Sequence, residues 1–288
     1  MSGIVQVMRQ LRSMPPLPDV ASRVLMIVRE PDYSLDELVA VVRTDPTLTG
    51  RILKLCNSSL FGLQKEIRSV SDAVAYIGAR SLVKLVLVTC TGSYFRGLPD
   101  NAYADPSQLW QHTLACATAC HSLAEHCGYG QPAAAFTAGI LHDIGRIALI
   151  VALEPHVLQQ ASIELMDPAA DMLEIERRLF GIDHAAASAV VCEAWGLPDE
   201  LRRAVRDHHD ESAFSADEKL AALLHVAGEL AMAMGLSEPQ PARNHEPSPS
   251  AMRRLCLFSA DLDEVRAATA AELARAGKLL NPEPAFSR

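Results

Sequence analysis

The sequence has no surplus of positive charge. Against 26 Lys and Arg stand 35 Asp and Glu, a formal net charge of −9. DNA backbones and anionic membrane surfaces are met by cationic faces, so neither DNA nor membrane is expected as a partner. An unbroken apolar run of spanning length is also missing. The longest, Leu82 to Cys90, is interrupted by Lys84, where a bilayer asks for roughly 20 residues. Met1-Ser-Gly-Ile-Val carries no basic segment leading into an apolar one, so no signal peptide is read. The 7 cysteines include no Cys-x-x-Cys. Scattered through apolar helical patterns, they read as small hydrophobes of a reducing cytoplasm. Alternating strand and helix signals are absent, which argues against a parallel sheet. Disorder is excluded by composition: 49% hydrophobic and 21% charged residues suffice for a packed core.

What is there reads as helix almost throughout. Ser34-Leu-Asp-Glu37 is a capping box, in which Ser34 accepts from the third helical amide. Asp45-Pro46 is an N-cap followed by a proline at the first helical position, where its missing donor is harmless. Asn57 ends that helix. Gly78 precedes an apolar helix to about Tyr94, and longer helices follow from Pro106 to about Cys127 and from Pro132 through Ile150, with a break near Gly145. Asp183 caps a helix closed by Trp195-Gly196-Leu197-Pro198. Ser215 to Glu218 is a second capping box ahead of a helix with three-four apolar spacing. The polar turn at 97–105 marks a subdomain boundary. The expected organisation is an N-terminal helical subdomain over 1–98, a helical bundle over 104–236, a Pro-rich linker over 237–250 and a helical tail over 251–288.

The chemistry resides in histidine. Leu141-His142-Asp143-Ile144-Gly145-Arg146 offers one metal nitrogen and one carboxylate oxygen from adjacent positions. By itself the pair reads more readily as two buried groups satisfying each other. His112 precedes it on its own helix, His184 follows at a helix start, and His208-His209 close the next helix. Helices of a bundle can bring such ligands together. Cys116, Cys120 and Cys127 share a helix with His112, but their spacing reads as core. Arg202, Arg203 and Arg206 read as a solvated basic face.

The order His, His-Asp, His, His-His resembles the HD phosphohydrolase superfamily, and its HD-GYP branch in particular. Pro15 to Pro18, Asp45 to Ser59, Ile67 to Gly78, Ala138 to Gly145 and Trp195 to Pro198 narrow this to a resemblance to the HDOD family, covering about residues 10–235. That resemblance implies an all-α fold, with a multi-helical HD-like bundle packed against the N-terminal helical subdomain, and a cytoplasmic protein of signalling and gene regulation. Members look like degenerate relatives of HD phosphohydrolases and act as regulatory or protein-interaction modules.

The chain departs from an active HD site in three ways. The closing Asp of active relatives falls at Gly228, which has no ligating side chain. His225, one turn earlier, is the neighbour that could stand in. The Gly-Tyr-Pro loop after the double His is missing, and Arg146 occupies the place of a phosphate-contacting Lys, keeping the charge but not the geometry. The resemblance therefore implies no catalytic residue and no required cofactor. It leaves His112, His142, Asp143, His184, His208 and His209 as a ligand set for a divalent ion (Fe, Mn or Mg), and Arg146 as a ligand-binding residue. The expected function is a non-catalytic signalling protein that binds a protein partner or a nucleotide. The alternatives are a metal-dependent phosphohydrolase or phosphodiesterase acting on a nucleotide, and a sensor that holds a metal or nucleotide without turnover.

Overall fold

The computed structural model describes residues 2–30, 32–57, 66–99, 101–167, 169–214, 219–236 and 245–275, and among these there is helix and no strand. The chain opens on α1 (Ser2–Arg12). Then come α2 (Asp19–Ile27), α3 (Leu35–Arg43), α4 (Pro46–Cys56) and α5 (Val70–Arg96). The local signals act as the sequence suggests. Ser34 accepts from the Glu37 amide to start α3, and Asp45 accepts from the Leu48 amide at 2.9 Å to start α4. Asn57 then holds Ile67 through both its amide nitrogen and its amide oxygen, each at 2.7 Å. Gly78, at φ 79° and ψ 160°, bends α5 in a conformation that a side chain would oppose.

The bundle is built from α6 (Pro106–His126), α7 (Pro132–Leu141), α8 (Ile144–Ala152), α9 (Pro155–Leu165), α10 (Met172–Phe180), α11 (His184–Ala194), α12 (Asp199–Asp207), α13 (Lys219–Ala233), α14 (Pro249–Leu255) and α15 (Ser259–Arg275). Helix α6 is buried on nearly every side, as a central helix must be. Helices α7 and α13 lie along it. Gly139 permits the first approach, since a Cβ there would stand 2.4 Å from the Ala117 Cα. Helices α9 and α10 belong to a stretch for which the sequence predicts no individual helix. The capping box at 215–218, residues 237–244 of the expected linker and residues 276–288 of the expected tail lie outside the described residues.

Contacts group residues 1–16 with 95–270, and 17–94 with the end of α15 from Ala271. This differs from a contiguous division at 98. Helix α1 packs on α8, α10 and α11, burying Val7 and Leu11, while Lys84 and Glu272 form an ion pair at 2.8 Å within the other group.

Two stretches do reach the length and apolarity of a membrane span, which the run from Leu82 to Cys90 does not suggest: Val70–Arg96 and Pro132–Ala152. The second is 89% buried within the protein and supplies the core of the bundle. It is interrupted at His142-Asp143, where α7 gives way to α8.

Candidate metal centre

The six expected ligands converge. His112 projects from α6, His142 and Asp143 form the break between α7 and α8, His184 is the first residue of α11, and His208 and His209 follow directly on α12. Ring centroids are 5.3 Å apart for His112 and His142, 5.4 Å for His142 and His208, 5.8 Å for His184 and His208, and 3.9 Å for His208 and His209. Asp143 stands between two of them, with Oδ2 3.5 Å from His142 Nε2 and Oδ1 3.6 Å from His184 Nε2. Two trios, His112 with His142 and Asp143, and His184 with His208 and His209, each offer ligand atoms within 4.8 Å of one another.

The backbone at the break is held by close packing. Ser188 on α11 donates to the His142 carbonyl at 2.6 Å and accepts from the Gly145 amide at 2.8 Å. Gly145 lies so near α11 that a Cβ would be 2.3 Å from the His184 carbonyl oxygen. Asp183 caps α11 by accepting from the Ala186 amide at 2.8 Å, which sets His184 at the helix start.

Three of the rings are also oriented. His142 Nδ1 donates to the Gly139 carbonyl at 2.8 Å, His208 Nδ1 to that of Val205 at 2.6 Å, and His112 Nδ1 to that of Leu236 at 3.1 Å. A carbonyl only accepts, so the proton is on Nδ1 and the Nε2 lone pair is free. The Nε2 of His208 is buried and has no hydrogen-bond partner among the described residues. Such an atom is costly to leave unmet, and a metal ion would satisfy it. This outer ring of carbonyls is the arrangement that fixes tautomer and aim in metal-binding histidines. The residues present therefore fit a divalent ion.

Charge follows burial. The interior opposes the Asp143 carboxylate, but His142, His184, Arg146 and His112 together outweigh it and hold its pKa well below the usual range. Burial, then the neighbouring His142, pushes His112 down to about 4. Burial likewise lowers His142 and His208. For His184 burial works the same way but is outweighed by Glu176, then Asp143, and its pKa is raised. Three histidines are thus neutral when folded and protonate once unfolded below about pH 6.5. Their stabilisation is present above that value and lost as pH falls below it, for His112 down to about 4. His184 has the opposite sign, its stabilisation being lost as pH rises through its raised value. For His112 alone the loss between pH 7 and 5 is worth up to about 2 kcal/mol. Metal-free protein should show a lower urea midpoint at pH 5 than at pH 7. An equal or higher midpoint at pH 5 would contradict these assignments.

The sequence matches the HDOD domain over residues 14–211. The chain belongs to the HDOD family. An HDOD domain protein of unknown function from Geobacter sulfurreducens shares 25% identity and superposes with a TM-score of 0.75 over 93% of this chain and 98% of its own. A Shewanella amazonensis crystal structure named "Putative phosphohydrolase" shares 26% identity, with a TM-score of 0.71 over 96% of this chain and 98% of its own. A Marinobacter aquaeolei structure named "Putative signal transduction protein" shares 26%, with a TM-score of 0.74 over 94% of this chain and 60% of its own. An uncharacterised Treponema pallidum protein is 24% identical over 202 residues, and the matched part spans 38% of its length.

Within this HDOD chain, other expected features take definite places. Arg146 is buried beside Asp143 at 3.8 Å, with its guanidinium 5.2 Å from the centre of the Tyr103 ring. Gly228 is half-buried on α13, and a Cβ added there would meet nothing within 4 Å among the described residues. His225 does not stand in for the closing carboxylate. Its Nδ1 bonds the His208 carbonyl and its Nε2 accepts from the Ser248 amide, each at 3.1 Å, so both nitrogens are engaged. Five cysteines (Cys56, Cys90, Cys116, Cys120 and Cys192) are buried free thiols, as the core reading expects. Arg202, Arg203 and Arg206 are engaged by Asp199, Glu193 and Asp207. Sequence reasoning missed Glu176, Ser188 and Tyr103. For Glu176 a signal existed, since it lies three residues after Leu173 and four before Phe180, on the apolar stripe of α10.

Proposed function

We propose that this HDOD chain is a cytoplasmic regulatory protein that holds a divalent metal ion in its histidine cluster without turning over a substrate, and acts through a protein partner or a nucleotide ligand. The observation that carries the metal is the buried, unmet Nε2 of His208 among rings whose Nδ1 atoms are tied to carbonyls. His112, His142, Asp143, His184, His208 and His209 would hold it. An imidazole-rich set with a single carboxylate suits iron better than magnesium. When bound, such an ion polarises phosphoryl oxygens and acidifies water.

Regulation is favoured over hydrolysis by the donor set. Gly228 supplies no closing carboxylate, and Arg146 sets a positive charge against Asp143, which would otherwise offset the ion. The name of the Marinobacter relative is consistent with signalling. The Shewanella relative's name favours the second reading, a phosphohydrolase.

Elemental analysis of protein purified without chelator, together with an assay on bis(p-nitrophenyl) phosphate, separates the readings. The expected result is about one metal ion or more per chain and no multiple turnover. Sustained hydrolysis would establish the enzyme, and a chain that neither carries nor takes up metal would reduce the cluster to packing. Gly228→Asp adds a carboxylate where there is room for one, nearly a turn along α13 from His225, whose ring reaches His208. Metal affinity should rise about tenfold or more, as an added charged ligand implies. Unchanged affinity would remove Gly228 from the closing position.

A further inference from the structure

Glu176 is a charged side chain with 0% exposure, on a helix otherwise faced with solvent-directed charge. A buried carboxylate is expensive unless fully bonded, and this one is. Its Oε2 accepts from the His184 amide at 2.7 Å and from the His184 Nδ1–H at 2.8 Å, and its Oε1 accepts from the Tyr103 hydroxyl. The Tyr103 ring is held edge-on by Phe180 at 5.4 Å and lies under Arg146 at 5.2 Å. Arg146 faces Asp143 at 3.8 Å, and Asp143 faces His184 Nε2 at 3.6 Å. These contacts close a ring of five residues with His184 as the member turned toward the cluster. His184 Nε2 also lies 3.0 Å from His209 Nε2.

We infer that Glu176 is a positioning residue for the metal ion: it fixes the His184 ring with Nε2 aimed at the site, and it supplies, one imidazole away, the negative charge that Gly228 does not. This rests on the reading of the cluster as a metal site. The physical basis is twofold. A carboxylate on the far nitrogen of a ligating histidine locks its orientation and raises its donor strength. With His184 in the neutral form that ligates, the two carboxylates against Arg146 leave a net negative charge to face the dication. Without Glu176 the ion's charge would lack this compensation in a low-dielectric interior. Tyr103 contributes by holding Glu176 and not by reaching the site.

The test is a Co2+ titration of chelator-treated wild type, Glu176→Gln, Glu176→Ala and Tyr103→Phe, read by visible absorption, with melting of each metal-free protein alongside. Gln keeps an oxygen for His184 but not the charge. Wild type should bind. Glu176→Gln should bind roughly 10- to 100-fold more weakly, with shifted visible bands, while the metal-free protein stays folded and melts cooperatively. Tyr103→Phe should lose less. Should Glu176→Ala fail to fold, the Gln and Phe variants carry the test. Equal affinity and spectrum in Glu176→Gln would overturn the inference, as would a loss of affinity that merely follows a collapsed melting temperature. A wild type that takes up no Co2+ defeats the metal reading itself, and is seen before any variant is compared.

Discussion

Replacing Gly145 by alanine should cost the bundle about 3 kcal/mol or prevent its folding. The new methyl would stand 2.3 Å from the His184 carbonyl oxygen, 2.4 Å from the Ser188 amide nitrogen and 2.7 Å from the Ser188 hydroxyl. The first two are backbone atoms that cannot rotate away, so α8 and α11 must separate. Overpacking of this kind costs about 1–3 kcal/mol, and the bonds of Ser188 to both sides of the break add about 1 kcal/mol or more each when strained. Gly228→Ala is the control. It is also a helical glycine, yet its Cβ meets nothing within 4 Å, and alanine in a helix interior is favoured over glycine by up to about 1 kcal/mol. Urea denaturation should show the first variant strongly destabilised and the second unchanged or improved. Similar midpoints would mean that the close approach of α8 to α11 is wrong.

Asp143→Ala should be the most damaging change within the cluster. Asp143 is 4% exposed and faces Arg146, itself 5% exposed. Removing one member of a buried pair typically costs about 3–5 kcal/mol, because the remaining charge loses its compensation. The variant should also lose bound metal. The diagnostic result is the double variant Asp143→Ala/Arg146→Leu, which removes both charges. Its stability should recover toward wild type, while metal binding does not return. A double variant no more stable than Asp143→Ala would show that the pair contributes little. Retained metal in either variant would exclude Asp143 as a ligand.

Much of the local architecture is legible in residues a few positions apart. Ser34, Asp45 and Asp183 cap α3, α4 and α11 because a short polar side chain reaches an amide two or three residues on, whatever the rest of the chain does. The six candidate ligands are legible for a different reason: the order of histidines resembles a known family, and the bundle brings them together. Glu176 is legible as a buried position, from the apolar stripe of α10, but not as part of the site. Arg177 and Arg178 beside it look like a solvated face, and its partner His184 is eight residues away, across the turn at Gly181. The role suggested for His225 fails because adjacency on a helix says nothing about which atoms a ring finds. It reaches the His208 carbonyl and the Ser248 amide, both remote in sequence.

The apolar stretches show the same division. Hydropathy alone does not tell a membrane span from the centre of a bundle, and Pro132–Ala152 is told apart by its burial within the protein. The sequence by itself determined the all-helical class, several caps and the net acidity, since these depend on local bonding and composition, and the order of its histidines identified the candidate ligands. Only the tertiary structure decided which nitrogen of His112, His142 and His208 is free, which carboxylate stands behind His184, and that α1 belongs with the bundle. Those outcomes depend on distances between residues far apart in the chain, and on the need of every buried polar atom for a partner.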